Sequence, residues 1–196
     1  MDIKAVCVAM WVCMLLLSSH ASDTFQYLVN HPTIDPTHCN GQSTGRVVVV
    51  KIGGSFLVSD GTPNTTIMRE MTDTVRAMVS MGYRVVVVVG GGVVARQYIA
   101  AATALGANNG VKDTLGILVS RLNARLFIEA YGDGCYQVPV ESLEGLATAL
   151  HIRPVVAMGG LQPGQSTTAV AALAAEYINA QEVIYGTDVD GVYTAD

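Results

Sequence analysis

From Arg46 onward the hydrophobic positions follow two alternating rhythms. Arg46 to Lys51 (R-V-V-V-V-K) and Tyr83 to Val89 (Y-R-V-V-V-V-V) are continuous β-branched runs, the pattern of strands covered on both faces. Between them Ile67, Met68, Met71, Val75, Met78 and Val79 share one helical face, and Gly82 stands where such a helix would stop. Downstream the spacing predicts helices over 94–105 and 112–131, a short strand at 136–138, and a helix over 141–150. A strand at 154–158, a helix over 168–179 and a strand at 182–185 complete the series. Strands alternating with helices predict an α/β domain, a mostly parallel open sheet between two helical layers. Right-handed crossovers put every strand's carboxyl end on one edge, and open α/β sheets bind ligands there.

Composition narrows the class. The chain has 196 residues, 51% hydrophobic and 14% charged, which suits one sizeable domain and excludes intrinsic disorder. Eleven basic against sixteen acidic side chains, net −5, leave no excess to neutralise a nucleic-acid backbone, so no nucleic-acid partner is expected. The four cysteines, at 7, 13, 39 and 135, contain no C-x-x-C pair and the four histidines no H-E-x-x-H; no metal-ligating residue is nominated.

The first stretch differs. Ala5 to Leu17 is thirteen apolar residues, shorter than the ~20 a spanning helix needs, and Ser-Ser-His-Ala-Ser follows at 18–22. Residues 1–21 read either as a signal peptide, with Ser19 and Ala21 before the cleavage point, or as upstream sequence unrelated to the domain. No stable membrane insertion is expected on either reading. On the export reading Asn64-Thr65-Thr66 becomes a glycan acceptor, and Cys39 with Cys135 a candidate disulfide. Residues 22–45 show no period and read as a linker, so the domain is placed at 46–196.

Three loops at the predicted sheet edge have the composition for phosphate: Lys51-Ile-Gly-Gly-Ser55, Gly90-Gly91-Gly92, and Gly159-Gly-Leu-Gln-Pro-Gly-Gln-Ser-Thr167. Glycine lets backbone N–H groups approach an anion, and a helix starting just after adds the positive end of its dipole. Gly90-x-Gly92-x-x-Ala95, with Asp113 some twenty residues on, also passes for a dinucleotide-binding turn. In that fold the acidic residue closes the next strand, whereas Asp113 falls at a predicted helix start. Gly159-x4-Gly164-Gln165-Ser166 carries glutamine where a conventional P-loop carries lysine.

The segments K-I-G-G-S at 51–55, V-V-V-G-G-G-x-x-A-R-x-Y-I at 87–99, L-G-I-x-x-S-R-L-N-A at 115–124, V-V-A-M-G-G-L-Q-P-G-Q-S-T at 155–167, A-V-A-A-L-A-A-E at 169–176 and T-D-V-D-G-V-Y-T-A-D at 187–196 together resemble the amino-acid-kinase superfamily. Within it the R-L-N-A and P-G-Q-S-T elements are most similar to the archaeal-type uridylate (UMP) kinases. The resemblance implies a cytoplasmic enzyme of pyrimidine nucleotide synthesis that converts ATP and UMP to ADP and UDP with Mg²⁺. It also implies a homo-oligomer, commonly a hexamer.

By motif, the resemblance makes Lys51 and Arg96 the catalytic charges. It assigns Gly54, Ser55, Gly92, Arg96, Thr187, Tyr193 and Asp196 to ATP, and Gly91, Asp113, Leu161, Gln162, Pro163, Gly164, Gln165, Ser166 and Thr167 to UMP. Each has a plainer reading: Lys51 an edge charge, Arg96 a solvated residue, Asp113 an acid favoured by the helix dipole, Asp190 a turn residue. Arg121 and Asn123 read as mid-helix packing residues, Cys135 as a small core residue, and His151 beside Arg153 as surface. A non-catalytic nucleotide-binding module and a nicotinamide-dependent oxidoreductase are the competing functions. Many relatives carry an aspartate after two threonines where Thr167-Thr168 here precede Ala169. They also continue past the position of Asp196, so the ATP half is expected to be cut short and UMP binding to exceed turnover.

Overall fold

The computed structural model describes residues 45–59 and 61–186. The readings of residues 1–21, of the linker up to residue 44, of Cys39, and of Thr187, Asp190, Tyr193 and Asp196 lie outside the described residues.

The elements, in chain order, are β1 (Val47–Ile52), α1 (Gly54–Leu57), β2 (Val58–Ser59), β3 (Thr62–Pro63), α2 (Thr65–Ser80), β4 (Arg84–Val89), α3 (Gly92–Ala104), α4 (Asn109–Tyr131), α5 (Leu143–Ile152), β5 (Val155–Met158), α6 (Thr167–Tyr177) and β6 (Glu182–Gly186). Four strands form one sheet in the order β5-β4-β1-β6, every pair parallel. The register sets Lys51 beside Val88 on one flank and Tyr185 on the other.

The continuous apolar strands are explained by a helical layer on each face. Val85, Val87, Val89, Val155 and Ala157 pack with Met68 and Val75 of α2 and with Ala124, Phe127, Ile128 and Tyr131 of α4. Val49, Val86, Val88, Val156 and Met158 pack on the opposite face with Leu146, Ala149 and Leu150 of α5 and Val170, Ala171 and Ala174 of α6. The result is the expected three-layer α/β/α sandwich.

Helix starts follow side-chain caps more than apolar spacing. Asn64 Oδ1 accepts from the Ile67 N–H at 3.1 Å and opens α2. Asn108 Oδ1 accepts from the Val111 N–H at 3.0 Å, so α4 begins at Asn109, ahead of the expected 112, and runs straight through Gly116. Those caps satisfy N–H groups that the first turn leaves without partners. The strand expected at 136–138 does not form. Isolated bridges join Cys135 to Val155 and Val140 to Met158, while the Gln137 side-chain amide between them donates to Gly132 O and Cys135 O. The short α1 and the β2–β3 hairpin had no counterpart in the periodicity.

Arg76 of α2 closes the far end of α4. Its guanidinium donates to the Tyr131 carbonyl at 2.7 Å and the Ala130 carbonyl at 3.2 Å, and lies 4.9 Å from the centre of the Tyr131 ring. Cys135 is the core residue expected: a free thiol, wholly buried, which burial pushes from 9.0 up to about 12.

Candidate functional site

Parallel strands deliver their carboxyl ends to one edge, and the loops leaving them follow the strand order there. The loop from Gly159 leaves β5, the 90–92 loop leaves β4, the 53–55 turn leaves β1, and β6 ends at Gly186. Neighbouring exits are stitched by backbone bonds: Gly90 N–H donates to Ile52 O at 3.0 Å, and Gly53 N–H to Gly186 O at 3.2 Å. The three glycine loops of the sequence therefore form one continuous rim.

Two of them meet backbone against backbone. A Cβ placed on Gly54 would fall 2.1 Å from Gly92 N and 2.6 Å from Gly90 O, far inside contact distance. Gly92 has φ +65° and faces Gly54 in return. Glycine here is required first by the junction between the loops, whatever a ligand asks of them. Gly54 is buried, and Ser55, also in α1, is half-buried. Lys51, at the end of β1, is half-buried, while Arg96 is exposed on α3, one turn past Gly92.

The third loop is held differently, by side chains of α4. Asp113 Oδ2 accepts from the Gly164 N–H at 2.8 Å, joining the acidic residue and the loop that the sequence assigned to one nucleotide. Ser120 Oγ accepts from the Gly160 N–H at 2.7 Å. Arg121 donates through Nε to Gly160 O at 3.1 Å and through Nη2 to Leu161 O at 3.2 Å, while Nη1 meets Glu141 at 2.6 Å. Asn123, buried, donates from Nδ2 to Gly90 O at 2.9 Å and so reaches the middle loop as well. Arg121 and Asn123 therefore do more than pack: with Ser120 they bind the rim. Their signal in the sequence was three polar residues within one helical turn of an otherwise apolar helix.

The remaining assigned positions occupy the same loop. Gln162 and Pro163 are exposed, Leu161 is half-buried, and Gly164 turns the chain at φ +84°. Ser166 caps α6 by accepting from the Ala169 N–H at 3.1 Å, and Thr167 is that helix's first residue. Gln165 Oε1 is buried with no hydrogen-bond partner among the described residues, a polar atom whose desolvation is uncompensated. Such an acceptor suits a ligand that brings an N–H or O–H donor.

The geometry disposes of one competing fold. A dinucleotide-binding domain places its acidic ribose ligand at the end of the strand after the glycine turn. Here α3 leads straight into α4, and Asp113 lies within that second helix. Among the described residues no group of three His, Cys, Asp or Glu side chains could hold a metal, and no helix is long and apolar enough to cross a membrane.

An open parallel sheet with adjoining glycine loops along its carboxyl edge, each leading into a helix, defines an α/β domain built to hold phosphate groups. The chain belongs to the amino acid kinase family, whose sequence profile matches residues 46–196. It is 46% identical over 149 residues to the uridylate kinase of Hyperthermus butylicus, a stretch covering 76% of this chain and 65% of that protein. With the uridylate kinase of Haloquadratum walsbyi it shares 44% identity over 151 residues, 76% of this chain and 61% of the relative. The crystal structure of uridylate kinase from Archaeoglobus fulgidus superposes with a TM-score of 0.69 at 40% identity, covering 76% of this chain and 66% of that one. The UMP kinase of Bacillus anthracis, at 19% identity and TM-score 0.63, shares the fold. The chain thus spans somewhat under two thirds of the length of these first relatives.

Proposed function

We propose that the protein transfers the γ-phosphoryl group of ATP to UMP, giving ADP and UDP. The observation that carries this reading is the order of the loops along the rim. The 159–167 loop with Asp113 lies at one end, the 53–55 turn lies two strands away, and the 90–92 loop stands between them. Two strand spacings are ~10 Å. That separation suits two nucleotides placed phosphate to phosphate across the middle loop.

On this reading UMP lies on the β5 side. Asp113 accepts from the ribose hydroxyls through the oxygen that Gly164 leaves unused, Gln165 Oε1 accepts a donor from the nucleotide, and Gly91 faces the UMP phosphate. ATP lies on the β1 side, with Gly54, Ser55, Gly92 and Arg96 toward its phosphates and Thr187, Tyr193 and Asp196 toward its nucleoside. Lys51 and Arg96 offset charge as the phosphoryl group moves. The attacking group is a phosphate oxygen of UMP, already ionised at neutral pH because the second phosphate pKa is about 6. No side chain has to remove a proton, so Thr168 can stand where many relatives carry a carboxylate. The protein's task is to align two anions and neutralise charge. Mg²⁺ belongs to this reading as a ligand of the ATP phosphates, where it offsets their charge, since the described residues offer no all-protein cage for it.

The supported setting is the cytoplasm, where ATP is plentiful. Tyr98, Leu105, Val111, Leu118 and Leu122, exposed apolar residues of α3, the turn after it and α4, favour a homo-oligomer, a hexamer on the family likeness. Light scattering after size-exclusion chromatography tests that.

The experiment for function is a thermal-shift panel of UMP, CMP, AMP and NADH, followed by phosphorus NMR of ATP, Mg²⁺ and UMP with the protein. UMP is expected to raise Tm most and UDP to accumulate only with Mg²⁺ present. Stabilisation by NADH without any by UMP would overturn the reading. UMP binding without UDP, also in a chain extended by a relative's C-terminal segment, would favour a non-catalytic nucleotide-binding module.

A further inference from the structure

Arg121 makes two bonds that determine which way a substrate loop faces. Its guanidinium holds the carbonyl oxygens of Gly160 and Leu161 at 3.1 and 3.2 Å, on the α4 side of the loop. In a trans peptide the carbonyl and the next N–H point in opposite directions, and the described residues contain no cis peptide. Fixing those two carbonyls therefore turns the N–H groups of Leu161 and Gln162 together to the opposite side of the loop. Neither N–H has an acceptor among the described residues. Successive N–H groups turned the same way form a nest, a backbone arrangement that binds anions.

Arg121 is itself fixed. Its side chain retains 20% exposure, Glu141 holds the third corner of its fork at 2.6 Å, and Ser120 beside it anchors the Gly160 N–H. The planar fork of arginine suits this task because its donors lie in one plane at set angles, whereas an ammonium has no fork.

We propose that Arg121 is a positioning residue for the acceptor nucleotide. By clamping Gly160 and Leu161 from behind, it pre-forms a two-amide nest at Leu161 and Gln162 that receives the UMP phosphate. The inference rests on the UMP reading of the 159–167 loop. Arg121 touches loop carbonyls and Glu141 and no substrate atom, so its effect is transmitted entirely by the orientation of the backbone.

The test measures UMP dissociation constants by calorimetry, and Michaelis constants for UMP and ATP, for the wild type, Arg121→Ala, Arg121→Lys and Arg125→Gln. Arg125 lies on the same helix and also holds a carbonyl, that of Gln137, away from the rim, so it controls for a general loss of helix tethering. Hydrogen bonds to charged groups are worth enough that losing the nest should weaken UMP roughly tenfold to a hundredfold. Arg121→Ala is expected to do so, raising the Michaelis constant for UMP while that for ATP stays within about twofold. Arg121→Lys, which keeps the charge and the stem but loses the fork, should fall between, and stands in if the alanine variant does not fold. Arg125→Gln should match the wild type. UMP affinity unchanged in the folded Arg121 variants, or an equal loss in Arg125→Gln, would overturn the inference and leave the UMP reading intact. No UMP binding by the wild type would overturn that reading, and this inference with it.

Discussion

Gly54 and Gly164 lie on the same sheet edge in loops of similar composition, yet their surroundings are opposite. Gly54 is wedged against the backbone of Gly90 and Gly92, whereas a Cβ on Gly164 would have nothing within 4 Å and only its φ of +84° is specific to glycine. The first loop is fixed by steric exclusion, the second by side-chain hydrogen bonds from α4. A contact between main chains has no graded replacement. A side-chain tether does, and that makes the 159–167 region the part of the rim where specificity can be adjusted without rebuilding the fold.

The largest effect that would break this contrast is at the junction. Gly54→Ala puts a methyl 2.1 Å from Gly92 N, which neither backbone can yield to cheaply. Destabilisation of about 4 kcal/mol or more, or failure to give folded protein, is expected in urea titrations. Gly164→Ala should cost only about 1–2 kcal/mol, the ordinary penalty for a left-handed alanine. Equal losses at the two positions would erase the distinction.

Next come the tethers. Asp113→Ala removes both the anchor of Gly164 and the proposed ribose contact, and should raise the Michaelis constant for UMP roughly tenfold to a hundredfold while leaving that for ATP nearly unchanged. Asp113→Asn keeps an acceptor for the Gly164 N–H and should lose less, which separates loop anchoring from charge. Should Asp113→Ala change only Tm, the plain helix-acid reading would win. Asn123→Ala leaves the Gly90 carbonyl, buried beside the junction, without its side-chain donor, and should cost about 1–3 kcal/mol in denaturant unfolding.

The smallest expected effect is on pH dependence. The Cys135 thiol stays protonated in the folded chain up to about 12, while the unfolded chain ionises near 9.0. The unfolded state then holds fewer protons across that interval, so stability is full below pH 9.0 and declines as pH rises toward 12. Cys135→Ala should flatten that decline, and the native thiol should resist thiol reagents until the chain unfolds. Rapid native labelling would contradict its burial.

The sequence revealed the rim better than what holds it. Valine runs ending in glycine identified β1, β4 and β5, because burial on both faces leaves a continuous apolar signature. The glycine loops were visible from composition alone. The β2–β3 hairpin was not, since two residues per strand carry no period, and Gln137 made local side-chain bonds where a strand was expected. Ser120, Arg121 and Asn123 escaped notice for a different reason. Polar residues inside a helix look alike whether they face solvent, a neighbouring helix or a loop 40 residues away in sequence, and only the packing of α4 against the rim tells them apart.

The central claim, that UMP binds against Asp113 and the 159–167 loop and ATP against the 53–55 turn, is tested most directly by amide chemical shifts in a ¹⁵N-labelled sample titrated with each nucleotide separately. UMP is expected to move the amides of Leu161, Gln162 and Gly164 while those of Gly54 and Ser55 stay in place, and ATP to do the reverse. Shifts from UMP confined to Gly54 and Ser55, or one common set of shifts for both nucleotides, would contradict the account.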